Sequence, residues 1–331
     1  MKTNFYRGIQ CFNFLLFTFL FGINAVYAGQ YPERNIEFVV GFKPGGGYSD
    51  WAQAVAPFIE KHLPKKVNVI VRHMEGAGSA IAATYVQNAK PDGYTIAMYN
   101  IAGLAATQTA RPVKYDLSKV TWLGRLALDD RVALVSAKGP YKGIEDFKKQ
   151  AKPEFIVATV GLASAASISG AVTFAKLGVK WKPLNHGGSG EAVLAVIRGD
   201  ADIVWGSLES AQQYIDSGDL RPVVYYSARR HPAFRDVPIP SEVGMPELNE
   251  MMSTHYLIGA PPGVPADIRA VLEEAVRKSL EDPEFLAVAR KIKRSPSYLS
   301  GKGSEKVAFD TLKGYQTYAY VVKDLLSQDK K

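Results

Sequence analysis

Four loops in this sequence combine glycine with small hydroxyl residues, and each could hold an anion. They are residues 44–50, 76–79, 161–167 and 186–190. Glycine lets the backbone approach a ligand closely, and the first N–H groups of a helix are unpaired donors that favour negative charge. Such donors suit hydrogen bonding to carboxylate oxygens, whereas they offer nothing that would cleave a bond. The loops therefore predict a site that binds a small carboxylate.

Each of these loops follows a predicted strand. Apolar runs of strand length lie at residues 36–42, 67–71 and 94–99, and each ends in a small-residue loop. The same order recurs later in the chain, with predicted strands at residues 132–136, 155–159, 181–184, 203–205 and 222–226. Open α/β sheets bind ligands beyond the carboxyl ends of their strands. The pattern predicts two α/β units whose loops meet at a ligand cleft.

The order of the predicted elements indicates how the chain is divided between the two units. A strand at residues 254–260 follows a Pro-rich stretch and returns the chain to the first unit, before helices at residues 265–280 and 305–326. We therefore expect a discontinuous first lobe of residues 29–128 and 253–331, and a second lobe of residues 129–252. The crossings near residues 126–132 and 252–257 are the predicted hinges.

The first 28 residues have the composition of a secretory signal peptide. Lys2 and Arg7 precede an apolar run at residues 12–23, which ends in small residues before Ala28. We expect cleavage after Ala28 and a periplasmic protein. The chain's one cysteine, Cys11, falls inside this leader, so the mature chain has no disulfide, cysteine nucleophile or thiolate metal site.

The net charge of the chain favours anionic partners only weakly. The full sequence has a formal charge of +8, and loss of the leader removes two lysine or arginine charges and no acid. The basic residues are scattered and do not form a run interleaved with aromatic residues, so we expect no nucleic-acid partner.

A nucleotide-dependent oxidoreductase that uses residues 76–78 is the enzymatic alternative. Gly76, Gly78 and the helix that follows resemble a dinucleotide fingerprint, but its sixth position is Ile81. The next strand ends at Asn100 without the acid that would bind a ribose. A serine hydrolase is disfavoured because Glu191 stands where the last glycine of a nucleophile elbow belongs. We therefore expect that this protein is not an enzyme.

The titratable side chains do not form an evident catalytic or metal site. The five histidines are widely spaced and include no pair four residues apart, so no metal site is predicted. Adjacent acids such as Asp129 and Asp130 would face different sides of a helix, and we expect them to be solvated. His186 opens one glycine loop and could donate a hydrogen bond to an anion, although a structural role is an equal alternative.

An ordered series of motifs resembles the Bug-type receptors of tripartite tricarboxylate transporters over nearly the whole mature chain. The series includes Val-Val-Gly-Phe-Lys-Pro-Gly-Gly-Gly at residues 39–47, Glu-Gly-Ala-Gly-Ser at 75–79, Lys-Pro-Asp-Gly-Tyr-Thr at 90–95, Gly-Asp-Ala-Asp at 199–202 and Ala-Pro-Pro-Gly-Val-Pro at 260–265. The resemblance implies a two-lobed α/β flytrap of the type II periplasmic-binding-protein fold. It also implies a monomer without a cofactor that delivers a small organic carboxylate to one large and one small integral membrane subunit. A sensory role, in which the bound receptor meets a membrane signalling partner, is the alternative.

The resemblance also implies which residues hold the ligand. The first glycine loop and the loop that opens the second lobe grip a carboxylate, and neighbouring loops complete the cleft. Carried onto this chain, the set is Phe42, Gly46, Gly47, Tyr48, Ser49, Gly76, Ala77, Gly78, Ser79, Asn100, Gly161, Ala163, Ser164, Ser167, His186, Gly187, Gly206 and Ser207.

Four positions depart from the family pattern and bear on the ligand. Ser49 stands where the family has an Asp at the start of the first helix, and Gln53 stands where the family has an Arg. We still expect Ser49 or Asp50 to cap this helix. Ser167 stands where a His is usual, and Gly206 where an Asp is common. The changes at these last two positions remove polar groups from the expected cleft.

Aromatic residues lie close to these departures. Tyr48, Trp51 and Trp205 would add aromatic surface to the cleft. They suggest the hypothesis of a flatter or more apolar acid than citrate, such as an aromatic carboxylate. The alternative is that Trp51 and Trp205 belong to the core.

Overall fold

The computed structural model describes residues 31–149 and 152–327. The predicted leader and its cleavage site therefore lie outside the described residues. The strands of the described chain are β1 (Ile36–Val40), β2 (Val69–His73), β3 (Thr95–Asn100), β4 (Thr121–Asp129), β5 (Arg131–Ser136), β6 (Phe155–Thr159), β7 (Trp181–Asn185), β8 (Ile203–Ser207), β9 (Leu220–Tyr226), β10 (Thr254–Ala260) and β11 (Leu299–Ser300).

Helices connect most of these strands. In chain order they are α1 (Gly47–His62), α2 (Ala80–Gln87), α3 (Ile101–Ala110), α4 (Asp146–Lys149), α5 (Ala165–Leu177), α6 (Ser189–Arg198), α7 (Leu208–Asp216), α8 (Leu248–Met251), α9 (Ala266–Glu281), α10 (Pro283–Lys291), α11 (Gly301–Gln316) and α12 (Ala319–Ser327). Short 3-10 turns lie at Ala77–Ser79 and Pro240–Val243. No helix of the described part of the chain is long and apolar enough to cross a membrane.

The strands form two separate sheets. Sheet A has the order β11-β4-β10-β3-β1-β2 and sheet B the order β7-β6-β8-β5-β9. In each sheet three strands are parallel, β2-β1-β3 in sheet A and β7-β6-β8 in sheet B, and antiparallel strands extend one side. Buried parallel strands have near-continuous apolar sequences, as β1 does with Ile-Glu-Phe-Val-Val. The prediction of a two-lobed α/β fold is confirmed, and we call the units around sheets A and B the first and second lobes.

The chain passes between the sheets twice at one place. It leaves sheet A at the end of β4 and enters sheet B at Arg131, and it returns through Met252 to β10. The Arg131 side chain joins the two crossings, because its Nε donates to the Met252 carbonyl at 3.0 Å and its Nη2 to Thr254 Oγ1 at 2.6 Å. The guanidinium is buried, so these bonds hold both crossings in one fixed arrangement.

Several elements differ from their sequence predictions. Strand β4 was not predicted, because Gly124 and Arg125 interrupt its apolar run. The small-residue loop expected after the apolar run at residues 94–99 is instead the end of β3 and the start of α3. The helix predicted at residues 305–326 is two helices that separate at Thr317.

The C-terminal helix α12 contacts both lobes. It packs on α3 beside sheet A and on α5 beside sheet B. The Tyr318 hydroxyl, just before α12, donates to the Glu247 carboxylate at 2.5 Å. The same carboxylate forms a salt bridge with Lys176 of α5 at 2.9 Å. The C-terminal end of the described chain is therefore packed against both lobes.

Candidate functional site

The first glycine loop leads directly into α1. Gly46 is the N-cap of that helix and no side chain caps it, so the prediction that Ser49 or Asp50 does so is wrong. Phe42 and Tyr48 flank the loop with stacked rings whose centroids are 4.9 Å apart. The helix start thus leaves unpaired N–H groups beside a small aromatic surface.

Ser49 faces the interior of the first lobe. It is completely buried, and its Oγ lies 2.9 Å from Nε2 of His73 and accepts a bond from Gln53 Nε2 at 3.0 Å. These contacts fix the position of α1 against β2. They occupy the hydroxyl that the resemblance assigned to the ligand.

The second loop of the first lobe has an unusual backbone. Ala77, Gly78 and Ser79 all have positive φ angles, of 48°, 63° and 75°. Two of these three residues carry a side chain, so the turn stores strain of the kind found at binding sites. Asn100 stabilises it, because its Nδ2 donates to the Gly78 carbonyl at 3.2 Å, while its Oδ1 accepts from Tyr48 Oη at 3.3 Å.

The loop that opens the second lobe is held by two buried serines. Ser164 is the N-cap of α5, and its Oγ accepts from Ser167 N at 3.2 Å. The Ser167 hydroxyl donates to the Gly161 carbonyl at 2.7 Å. Both side chains are therefore used locally, and the groups left for an anion at this helix start are backbone N–H groups.

The two lobes meet at Ala163. A Cβ placed on Gly78 would lie 2.6 Å from the Ala163 carbonyl oxygen, and a Cβ placed on Gly103 of α3 would lie 2.8 Å from the same atom. Real Cβ atoms do not approach that closely, so only glycine allows this contact at either position. The lobes are thus closed on each other between the loops predicted to hold the ligand.

The remaining predicted residues lie on loops of the second lobe. The His186 backbone donates to the Thr159 carbonyl at 2.8 Å, and the Gly187 N–H to Glu191 Oε2 at 2.9 Å. The His186 Nε2 is buried without a hydrogen-bond partner in the described residues.

Gly206 and Ser207 end β8 at the start of α7. Ser207 is the N-cap of that helix and accepts from Ser210 N at 3.2 Å. A Cβ on Gly206 would meet only the Leu134 side chain, at 3.7 Å. This position has room for a larger residue.

The two tryptophans suspected of lining the cleft are core residues. Trp51 is fully buried against Tyr256 and Phe285, with ring centroids 5.8 and 6.3 Å away. Trp205 is 2% exposed and packs edge-on against Phe174 at 5.2 Å. Of the three aromatic residues expected to line the cleft, Tyr48 is the one that remains, with Phe42 stacked beside it.

Sequence reasoning missed a salt bridge between the lobes. Arg294, in the loop between α10 and β11, lies 2.9 Å from Glu209 of α7 through Nη1 and 3.2 Å from Asp50 of α1 through Nη2. Ser295 N also donates to Glu209 Oε1 at 3.1 Å. No local pattern identifies Arg294, which lies in a short basic stretch with Lys291 and Lys293.

The prediction that Asp129 and Asp130 are solvated is wrong. Asp129 is 3% exposed at the end of β4. Asp130 accepts hydrogen bonds from the Tyr225 hydroxyl and from Ser253 Oγ. Both residues belong to a strand crossing, where no helix exists to turn them toward water.

The described residues contain no group of three His, Cys, Asp or Glu side chains that could hold a metal ion. The site therefore consists of strained glycine turns, two helix starts and small polar side chains, brought together from both lobes. Such an arrangement can hold an anion by hydrogen bonding.

Comparison with known proteins places this geometry in a family. The profile of the tripartite tricarboxylate transporter family receptors matches residues 52–319. A UPF0065 protein of Bordetella bronchiseptica is 29% identical over 269 residues, which cover 79% of this chain and 77% of that relative.

Two solved structures have the same fold. MatC from Rhodopseudomonas palustris, with bound malate, matches with a TM-score of 0.76 at 23% identity over 88% of this chain and all of that chain. Another R. palustris protein, with adipate, matches with a TM-score of 0.74 at 22% identity over 88% of this chain and 98% of that one. The family match spans most of the sequence, and the chain therefore belongs to the receptor family of the tripartite tricarboxylate transporters.

Proposed function

We propose that this protein binds a small carboxylate in the cleft between its lobes and delivers it to a tripartite transporter. The observation that carries the proposal is the apposition of Gly78 and Gly103 to the Ala163 carbonyl, between the starts of α1 and α5. Helix starts from both lobes then face one anion, and contacts from both sides favour the closed arrangement.

The relatives support a carboxylate ligand. MatC is described with malate and a second structural neighbour with adipate. The glycine and serine loops of this chain carry no lysine or arginine that would demand a phosphate. We propose as ligand-binding residues those carried over from the family resemblance, with Phe42 and Tyr48 as the aromatic side of the cleft. The aromatic-acid hypothesis rests on these two rings alone.

Export and partners complete the proposal. Residues 1–28 act as a signal peptide cleaved after Ala28, and the mature chain works in the periplasm as a monomer. Its first lobe comprises residues 29–128 and 253–331 and its second lobe residues 129–252. The closed form presents a surface built from both lobes to one large and one small integral membrane subunit.

A thermal-shift screen of the chain from Gly29 onward tests the function. The panel contains aliphatic di- and tricarboxylates, aromatic acids, amino acids and NAD. A ligand at about 100 times its Kd adds about 2.7 kcal/mol to the free energy of unfolding, which raises the melting temperature measurably. A shift with one class of acid supports a carboxylate receptor, whereas a shift with NAD alone contradicts it.

The export of the protein and its membrane partners are tested separately. Mass spectrometry of a periplasmic extract should give a mature protein that begins at Gly29. Uptake of the cognate acid should require both the receptor and its membrane subunits. If cells lacking those subunits still respond to the acid through this protein, the sensory alternative is correct.

A further inference from the structure

The end of α10 and the turn after it carry exposed apolar and basic side chains in one short segment, residues 288–293, which we call the basic tip. Val288 and Ile292 lie one helical turn apart and are 37% and 40% exposed. The exposed cations of the segment are Arg290, Lys291 and Lys293. Surfaces that combine cations with exposed apolar side chains are typical of contact sites rather than of solvated helix faces.

The three cations of the basic tip have no anionic partner. Within residues 31–149 and 152–327, none of them forms an ion pair or a side-chain hydrogen bond. Other cations of the first lobe are paired, as Lys61 is with Asp282 and Glu284, and Arg277 with Glu274. Three unpaired cations within four residues repel one another, so an external anionic surface would stabilise them.

The backbone holds the basic tip in one fixed turn. Lys293 has a φ of 56°, in the left-handed region where glycine usually ends a helix. Its N–H donates to the Arg290 carbonyl at 3.0 Å, and the Arg294 N–H donates to the Ala289 carbonyl at 2.8 Å. A lysine at this position is strained where a glycine would not be, and such strain is typical of functional positions.

This turn places the basic tip beside the cleft. Arg294, the residue that follows the tip, pairs with Asp50 of α1 and with Glu209 of α7, where the two lobes meet. A Cβ placed on Gly47, the first residue of α1, would lie 3.6 Å from Arg294 Nη2. The tip therefore lies on the side of the molecule where α1 begins.

A membrane surface fits the basic tip better than a protein surface does. A stable protein interface buries about 800 Å² on each partner, which six residues at the end of a helix cannot supply alone. Anionic lipid headgroups need only a few cations, each of which strengthens binding about fivefold. Apolar side chains next to those cations can enter the headgroup region.

We propose that the basic tip binds the anionic surface of a phospholipid membrane. Its three cations contact the headgroup phosphates, and Val288 and Ile292 lie between the headgroups. Binding there brings the cleft next to the membrane that holds the proposed transporter. The inference goes beyond the proposed function and does not depend on the identity of the ligand.

Cosedimentation with vesicles tests the inference on the mature protein without a ligand. The anionic vesicles contain phosphatidylethanolamine with one third phosphatidylglycerol, and phosphatidylcholine vesicles are the neutral comparison. The wild-type protein should bind the anionic vesicles at least tenfold more tightly, and high salt should weaken this binding. Neutralising the tip should lower the affinity at least tenfold in a triple variant that combines Arg290→Gln, Lys291→Gln and Lys293→Gln.

A second triple variant controls for the overall charge of the protein. It removes the same charge from exposed lysines of α11 and α12 that have no ion pair in the described chain, and it combines Lys302→Gln, Lys313→Gln and Lys323→Gln. This variant should bind the anionic vesicles nearly as well as the wild type, because its cations lie outside the basic tip.

The variant Lys293→Gly separates the charge from the fold. Glycine adopts a φ of 56° without strain, so the variant should melt at a higher temperature than the wild type. It should nevertheless bind the anionic vesicles about fivefold less tightly, because one cation of the tip is lost.

Three outcomes would overturn the inference. They are equal binding of the wild type to both kinds of vesicle, equal binding by the two triple variants, and tip-dependent binding only to membranes that contain the transporter subunits. The last of these would assign the basic tip to an acidic protein surface. None of them bears on the carboxylate site, which is tested by the thermal-shift screen.

Discussion

Arg294 and Glu209 connect the two lobes, with Nη1 of the arginine 2.9 Å from Oε2 of the glutamate. The two side chains are 10% and 19% exposed, so water screens their attraction only in part. Asp50 holds the other side of the guanidinium. Because the partners lie on different lobes, opening the cleft separates them, and the ion pair favours the closed form.

The variant Glu209→Gln should therefore weaken ligand binding about tenfold, equivalent to about 1.4 kcal/mol. The neutral amide keeps its shape but loses the charge that attracts Arg294. Calorimetry gives the affinity, and small-angle scattering should show a larger radius of gyration for the unliganded variant. Glu281→Gln, which loses an exposed pair with Arg277, is the control. Equal affinities for the two variants would contradict the role of this ion pair.

A negative charge at the start of α5 should oppose the ligand. Aspartate caps helices as well as serine does, so Ser164→Asp should fold, yet its carboxylate would lie where the ligand carboxylate is expected. We predict at least a hundredfold loss of affinity in the thermal-shift and calorimetric assays. Ser300→Asp makes the same change at the N-cap of α11 and should bind normally. Retained affinity in Ser164→Asp would remove this loop from the site.

The contact between the lobes predicts the effect of one methyl group. A Cβ in Gly103→Ala would lie 2.8 Å from the Ala163 carbonyl oxygen and 2.3 Å from Asn100 Nδ2. Closure should then be incomplete, with at least tenfold weaker binding and a melting temperature close to that of the wild type. Gly143→Ala, where a Cβ meets no atom within 4 Å, is the control. If Gly103→Ala binds normally, the closed contact is not needed for binding.

The interior of the second lobe should affect stability without affecting the ligand. Tyr226 Oη accepts from Trp205 Nε1 at 2.8 Å and lies 2.7 Å from Thr173 Oγ1. Tyr226→Phe leaves both groups buried and unpaired, which should lower the free energy of unfolding by about 1–3 kcal/mol in denaturant titrations. Tyr320→Phe, at a 69% exposed side chain, should change nothing. A change of ligand preference in Tyr226→Phe would contradict the assignment of Trp205 to the core and would indicate that it contacts the ligand.

His255 should make stability depend on pH. Burial, together with the nearby Arg125, lowers the pKa of His255 to about 4. Between pH 6.5 and pH 4 the unfolded chain therefore binds a proton that the folded protein does not, so the free energy of unfolding falls as pH falls. His255→Asn should reduce this loss by about 1–3 kcal/mol in denaturant titrations at pH 7 and pH 4.5.

His231→Asn is the control for this pH dependence. His231 accepts a backbone hydrogen bond from Ala233 N at 3.2 Å and lies in a loop of the second lobe. If both variants change the slope equally, the effect does not belong to His255. An unchanged slope in His255→Asn would show that another group is responsible.

Local patterns predicted much of the fold. The strand predicted at residues 254–260 is β10, and the one at residues 155–159 is β6. Each is a short run of apolar residues bounded by turn residues, so its sequence alone indicates its structure. Strand β4 was not predicted, because Gly124 and Arg125 are held in the sheet by tertiary contacts that the local sequence does not indicate. One of these is the hydrogen bond from Arg125 Nε to the Ser297 carbonyl at 3.0 Å.

The polar groups of the cleft were predictable only in part. Glycine loops are recognisable because their chemistry is local. Arg294 contacts partners that are 85 and 244 residues away in the sequence, and no local pattern indicates such pairs. Asp129 looked like an ordinary surface acid beside Asp130, because its burial results from strands that cross there.

The contact of two glycines with the Ala163 carbonyl also bears on how fast a ligand exchanges. While that contact persists, a bound acid has no exit between the loops, so it leaves only after the lobes separate. The frequency of opening then limits the dissociation rate constants of all ligands, weak and tight alike. A membrane partner that pulls the lobes apart would shorten the residence time without touching the acid itself.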